Sequence, residues 1–278
     1  MNKIIVALDG LRYSESAARY AREWSKEQKA FLTGVFLDDP TYTGFKIYET
    51  VLDSGISDEQ LKVLKKKDTD ARIEAADNFS EQCKSAGLQH RIHHDKKIAI
   101  NDLIKETRFA DLLVINRHET FSHHEQDFPS RFLKMLMNET ECPLALVPAS
   151  YKPVEKIILL YDGRFTSVFS MRQFAFLFSN YAHLPIELFC VRAMDEDLHL
   201  PDHWYLKEWM RRHFKQVNYH VVKGIPETEI IRFLKEQPDH SLLVMGARRR
   251  IVLSRWMRTG LLESILLEKD IPVFIAHS

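Results

Sequence analysis

Asn2-Lys-Ile-Ile-Val-Ala-Leu-Asp-Gly10 returns later in the chain as Glu155-Lys-Ile-Ile-Leu-Leu-Tyr-Asp-Gly163, and that recurrence decides the fold. Each stretch is a continuous apolar run closed by Asp-Gly, the pattern of a strand buried on both faces that ends in a turn. Each copy then supplies a second apolar run, Asp111-Leu-Leu-Val-Ile-Asn116 and Ser241-Leu-Leu-Val-Met-Gly246. Each closes on a strand entered through proline, Cys142-Pro-Leu-Ala-Leu-Val147 and Ile271-Pro-Val-Phe-Ile-Ala276. The repeat divides the 278 residues into domains at 1–150 and 151–278, with Ala149 to Pro153 as the linker.

Outward from these strands, the first copy reads as strand Lys3–Leu8, helix Ser14–Gln28, strand Phe31–Leu37, a charged helical stretch between Ser57 and Ala86, and strand Gln89–His93. Helix Ile98–Thr107, strand Asp111–Ile115, helix Phe132–Thr140 and strand Leu144–Val147 complete it. The second copy follows the same order: strand Lys156–Tyr161, helix Ser167–Ala182, strand Ile186–Val191, a helix around Trp204–Phe214 and strand Asn218–Val222. Helix Glu227–Glu236, strand Ser241–Met245, helix Gly260–Glu268 and strand Val273–Ala276 follow. Strands that alternate with helices need crossover connections, so each half is predicted to be a doubly wound, five-stranded parallel sheet of Rossmann-like type. Val35 and Ile92 are 57 positions apart and Val191 and Val221 are 30 apart, so the first copy carries about 27 extra residues between strands two and three.

Lys plus Arg equals Asp plus Glu at 39 each, which argues against a global field that attracts nucleic acid or an anionic membrane. Three unclustered cysteines, Cys83, Cys142 and Cys190, fit a reducing compartment and neither a disulfide framework nor a zinc ribbon. The strand pattern starts beside Met1 and no apolar run reaches the length of a membrane span, so a cytoplasmic protein is expected.

The order of these features resembles the universal stress protein family, in tandem over nearly the whole chain. Its carriers are an Asp-Gly that ends strand one, Ser five residues later (Ser14, Ser167), Val222-Lys-Gly224-Ile-Pro226 after strand three, and Leu243-Val-Met-Gly246 at strand four. The resemblance implies an adenine nucleotide-binding fold related to the adenine nucleotide alpha hydrolases. Members pair through their fifth strands, here implying an intrachain pseudo-dimer through Leu144–Val147 and Val273–Ala276. A protein partner or a homodimer is a further expectation.

Members of the family that bind ATP carry Gly-x2-Gly-x9-Gly-[Ser/Thr] after strand four, because backbone amides must approach phosphates without an intervening Cβ. In the second copy Gly246 fills the first position, Arg249 the second and Thr259 the third, followed by Gly260; Thr259 lies 13 residues before Pro272, as the register requires. In the first copy Asn116 stands at the first glycine and Ser130 at the last, and no glycine occurs between Gly87 and Gly163. Asp9 and Asp162 match the family position that contacts the nucleoside, and Val35 and Val191 the position beside the base. The residues expected at a ligand are therefore Asp162, Val191, Met245, Gly246, Arg248, Arg249, Thr259 and Gly260 in the second domain, and Asp9 and Val35 in the first. No cofactor is required on this reading; ATP or another adenine nucleotide is the class open to the second domain.

Three other constellations bear on function. Arg248, Arg249, Arg250, Arg255 and Arg258 form either a solvated surface or a forked anion site. His90, His93, His94, His118, His123 and His124 are read as surface histidines, with a metal sensor as the alternative. Ser14 and Ser167 are read as helix starts, and no nucleophile elbow, Walker loop or Cys-x-x-Cys supports a catalytic assignment. On the helix after Ser167, Phe174, Leu177, Phe178 and Tyr181 share a core face, while Phe169 and Phe176 fall off it and call for a second cover, the sister domain or a partner. The expected function is a non-catalytic stress-response or regulatory module with lost or altered ATP binding. The alternative is a nucleotide- or phosphate-dependent switch, or weak ATPase, that uses the second domain.

Overall fold

The computed structural model describes residues 1–37, 57–95, 99–121, 126–247 and 260–277. The chain resolves into two compact units, Asn2–Thr140 and Glu141–Ser278.

In the first unit, β1 (Lys3–Leu8), β2 (Phe31–Leu37), β3 (His90–Asp95) and β4 (Leu112–Asn116) lie in the order β3-β2-β1-β4, every neighbouring pair parallel. The central strands are buried on both faces: Ile4 to Leu8 are at most 1% exposed. The helices supply the cover. Helix α1 (Glu15–Gln28) begins at Ser14, whose side chain accepts the Ala17 N–H, and buries Ala17, Ala18, Ala21 and Trp24. Helix α2 (Asp58–Ser85) opens on a capping box between Ser57 and Gln60 and puts Phe79 and Cys83 into the core. Helices α3 (Ala99–Thr107) and α4 (Arg131–Glu139) follow β3 and β4. Burial pushes the Cys83 thiol up to about 11, so it packs as an apolar group.

The second unit orders its strands β5-β10-β9-β6-β7-β8. These are β5 (Leu144–Val147), β6 (Lys156–Leu160), β7 (Ile186–Arg192), β8 (Val217–Lys223), β9 (Ser241–Ala247) and β10 (Val273–His277). All pairs are parallel except β5 with β10, which runs antiparallel with Val273 opposite Leu146 and Ile275 opposite Leu144. That pairing groups β5 with the second unit. Helices α5 (Phe165–Leu177), α6 (His203–His213), α7 (Pro226–Glu236) and α8 (Leu261–Glu268) complete it. Among the described residues no helix is long and apolar enough to cross a membrane.

Two expectations need correction. The helix predicted over Ser167–Ala182 starts earlier, and it breaks at Phe178 into a 3-10 turn over Ser179–His183. At the break Phe178 stacks on Phe174 at 5.2 Å and on Tyr181 at 5.4 Å, and meets Phe274 edge-on at 6.0 Å. Residues 174, 178 and 181 stand at the spacing i, i+4 and i+7, so these rings keep the core face expected of them and the change is confined to the backbone. Phe176, for which a cover was expected, is 73% exposed, and Phe165 in the first turn is 66% exposed.

Candidate functional site

A doubly wound sheet opens a crevice where the strand order reverses, outside the carboxyl ends of the strands. In the second unit the reversal falls between β6 and β9, and in the first between β1 and β4. Asp162 and Gly246 therefore flank one crevice and Asp9 and Asn116 the other. Register alone brings these expected residues together.

Both aspartates do the same local work. Asp9 Oδ1 accepts the Leu11 N–H at 2.7 Å and Asp162 Oδ1 the Arg164 N–H at 3.0 Å, each closing a turn that leads from strand to helix. Asp9 is fully buried. Asp162 differs in what remains: Oδ1 also accepts the Ser167 hydroxyl at 2.7 Å, while Oδ2 is buried with no hydrogen-bond partner. Arg164 Nε lies 3.9 Å from Oδ2, and the Asp162 side chain is only 5% exposed. An orphaned carboxylate oxygen in a crevice is costly to bury and is the strongest ligand-directed feature of the site. Ser167 sits inside the first turn of α5, whose N-cap is Arg164, so it locks the turn from within the helix rather than starting it as expected.

Gly246 has a packing reason to be glycine. A Cβ there would stand 2.3 Å from Thr166 O, 2.5 Å from Thr166 C and 2.9 Å from Ser167 N, main-chain atoms in the first turn of α5. Ser170 of that helix is fully buried and donates its hydroxyl to Met245 O at 2.8 Å, which pins helix to strand. The first unit makes the same junction with a side chain, as Asn116 Nδ2 donates to Ser14 Oγ at 2.9 Å. Direct backbone contact in one copy is replaced by an asparagine bridge in the other.

The remaining expected residues divide. Val35, Val191 and Met245 are buried in the sheet ends. Gly260 caps α8, and Glu227 from α7 accepts the Ser264 hydroxyl at 2.6 Å in the first turn of that helix. A protein carboxylate is thus held near the helix start where a phosphate would be drawn. Arg248, Arg249, Arg250, Arg255, Arg258 and Thr259 lie outside the described residues. The segment after β7 closes over β6: the Tyr161 hydroxyl donates to Pro201 O at 3.0 Å, and Pro201 packs where a Cβ on Gly163 (φ 78°) would stand. Burial pushes the Tyr161 phenol well above its ordinary range.

Glu119 escaped the sequence reading. It stands three residues after Asn116, at the second glycine position of the phosphate loop, and that spacing was the available signal. Its carboxylate Oε1 accepts the Thr120 and Phe121 amides at 3.1 and 3.3 Å, and Ser130 Oγ donates to Glu119 O at 2.6 Å. Successive loop amides that could face an external anion are turned onto an internal one. Burial, and then the Asp9 carboxylate, push Glu119 up to about 7.

The histidines are partly accounted for. His93 pairs with Glu106 at 2.7 Å and His90 with Ser80 at 2.9 Å; His123 and His124 lie outside the described residues. Among the described residues, no group of three or more His, Cys, Asp or Glu side chains is arranged to hold a metal ion.

Sheet order, crossovers and crevice position define the class as a doubly wound, Rossmann-like α/β protein. Within that class the chain is similar to a universal stress protein of Archaeoglobus fulgidus, with 12% identity, a TM-score of 0.69 and 98% of each chain covered. It is similar also to a universal stress protein from Pseudomonas aeruginosa (12% identity, TM-score 0.58, 100% of this chain and 93% of that one). A functionally unknown protein from the same species gives 11% identity, a TM-score of 0.59 and coverage of 100% and 92%. No protein-family model and no curated protein matches the sequence. At such identities the likeness speaks for the fold.

Proposed function

We propose that this chain is a tandem universal stress protein that acts as a non-catalytic, stress-response or regulatory module with lost or altered ATP binding. The observation that carries the reading is the use of the crevice residues for internal contacts. Gly246 lies against the α5 backbone, Glu119 fills the loop amides of the first unit, and Asp9 and Asp162 close turns. The antiparallel register of β5 on β10 supports the view that the fifth strands join the two repeats within one chain. A chain truncated after Pro148 would then leave β5 as an unpaired edge and self-associate.

One observation favours a second reading. The orphaned Asp162 Oδ2 beside Gly246 suits a hydroxyl donor such as a ribose, with Arg248 and Arg249 as holders of phosphate, which would make the second unit a nucleotide-dependent switch. Thermal-shift titration with ATP, AMP and cyclic nucleotides separates the two. No shift at millimolar nucleotide is expected. A shift that is lost in Arg249→Ala and Asp162→Asn would overturn the first reading in favour of the second.

A further inference from the structure

We propose that copies of this chain associate head to tail, the aromatic and basic outer face of α6 on one copy docking on the acidic outer face of α2 on the next. The two helices hold the same place in the two repeats: each stands between the second and third strands and leads into an edge strand of its unit. The copies differ in the character they give that helix.

Helix α6 turns Leu206 and Met210 inward and leaves Trp204, Tyr205, Lys207, Glu208, Arg211 and Arg212 exposed. Trp204 is 78% exposed and Tyr205 77%, adjacent rings in the first turn. Exposed apolar surface on that scale marks interaction sites, and Trp, Tyr and Arg are the side chains that dominate the buried centres of protein interfaces. Glu208 is the anion of this face, with Arg211 and Arg212 three and four places on, so the face stays net positive.

Helix α2 turns Ala76, Phe79 and Cys83 inward and sets Asp70, Glu74, Asp77 and Glu81 along the opposite side, at the 4-3-4 spacing of one helical stripe. Together with Asn78 and the half-exposed Ile73 these carboxylates line an open hollow of about 520 Å³. Among the described residues that hollow holds one apolar side chain, four carboxylates and no cation, the complement of a face that carries rings and guanidinium groups.

The spacings agree. Trp204 to Arg212 is eight positions and Ile73 to Glu81 is eight, about 12 Å along either helix. Parallel helices with Trp204 over Ile73 therefore bring Arg211 and Arg212 to the level of Glu81, and Tyr205 and Lys207 between Glu74 and Asp77. Glu208 falls level with Asp77 as a like-charged pair, outnumbered by the cations on either side of it. The reverse direction is disfavoured, because it would set Arg211 and Arg212 against Lys66 and Lys65. Since the two faces differ, each pairing leaves one α6 and one α2 free, and association is heterologous and open-ended.

Sedimentation equilibrium of the full chain at up to about 1 mM tests this. The wild type should form a concentration-dependent series of oligomers that dissociates as salt rises from about 50 mM to about 500 mM. Arg211→Ala with Arg212→Ala disables one face, Asp77→Ala with Glu81→Ala the other, and each double variant should associate about tenfold more weakly. Mixed in equal amounts, the two should give a dimer that does not grow, because each brings one competent face. A monomeric wild type, association untouched by either double variant, or a mixture no better associated than its parts would overturn the proposal. Loss in the α6 variant alone would assign that face to a different acidic partner and overturn it too. Should a double variant fail to fold, Trp204→Ser replaces a single exposed ring and should weaken association likewise; unchanged association would again overturn the proposal.

Discussion

Substituting Gly246 by alanine separates packing from ligand binding as the reason for a glycine at the end of β9. An added methyl would sit 2.3 Å from Thr166 O and 2.5 Å from Thr166 C, roughly 1 Å inside ordinary contact with main-chain atoms. Overpacking of this kind costs about 1–3 kcal/mol where side chains can yield. Here the obstacle is backbone in the first turn of α5, held by the Ser170–Met245 bond, which places the cost near 3 kcal/mol on that scale. Restricting the unfolded chain returns about 0.5–1 kcal/mol, leaving a net loss near 2 kcal/mol. By scanning calorimetry this lowers the transition of the second unit by roughly 4–8 °C. Gly260→Ala is the internal control: among the described residues its new methyl would meet nothing nearer than Glu227 Oε1 at 3.8 Å, and its transition should stay within about 1 °C on that scale. Equal transitions for wild type and Gly246→Ala would refute the packing argument and return the glycine to a ligand.

Glu187 on β7 accepts from His220 at 2.6 Å and Asn218 at 3.3 Å and lies 3.4 Å from Lys156. Burial pushes its carboxyl up, but these partners outweigh it and leave it below the ordinary range. Its stabilisation is therefore present above the ordinary Glu range and lost as pH falls through the lowered value. Glu187→Gln should cost about 1–3 kcal/mol at pH 7 in urea titrations, with the gap closing in acid, and a gap that widens in acid would contradict the assignment. Tyr161→Phe removes the bond to Pro201 O and should cost about 0.5–1.5 kcal/mol while raising limited proteolysis within residues 193–202. Unchanged cleavage there would show that the hydroxyl does not hold the segment.

The strands were legible because their burial is written in composition. Runs such as Ile4 to Leu8 and Ile157 to Leu160 admit no other placement than a two-sided core, and their order entails crossovers. Helix ends were less legible, as at Phe178, where an apolar face that continues to Tyr181 gave no sign that the backbone passes from helix to a 3-10 turn. The site was legible in position and not in use. A motif shows which residue stands at a strand end, but the same Gly246 serves a phosphate or a neighbouring helix, and only coordinates distinguish them.

The sequence by itself determined the repeat, the parallel α/β class and the positions facing each crevice, because these depend on periodicity and chain order. Tertiary structure alone decided that β5 runs antiparallel to β10 and that Gly246 and Asn116 solve one junction in two ways. It alone decided, too, that Glu119 folds back onto the amides of its own loop. The reason is physical: periodicity records which face a residue buries, whereas the partner it meets is set by atoms many positions away in the chain.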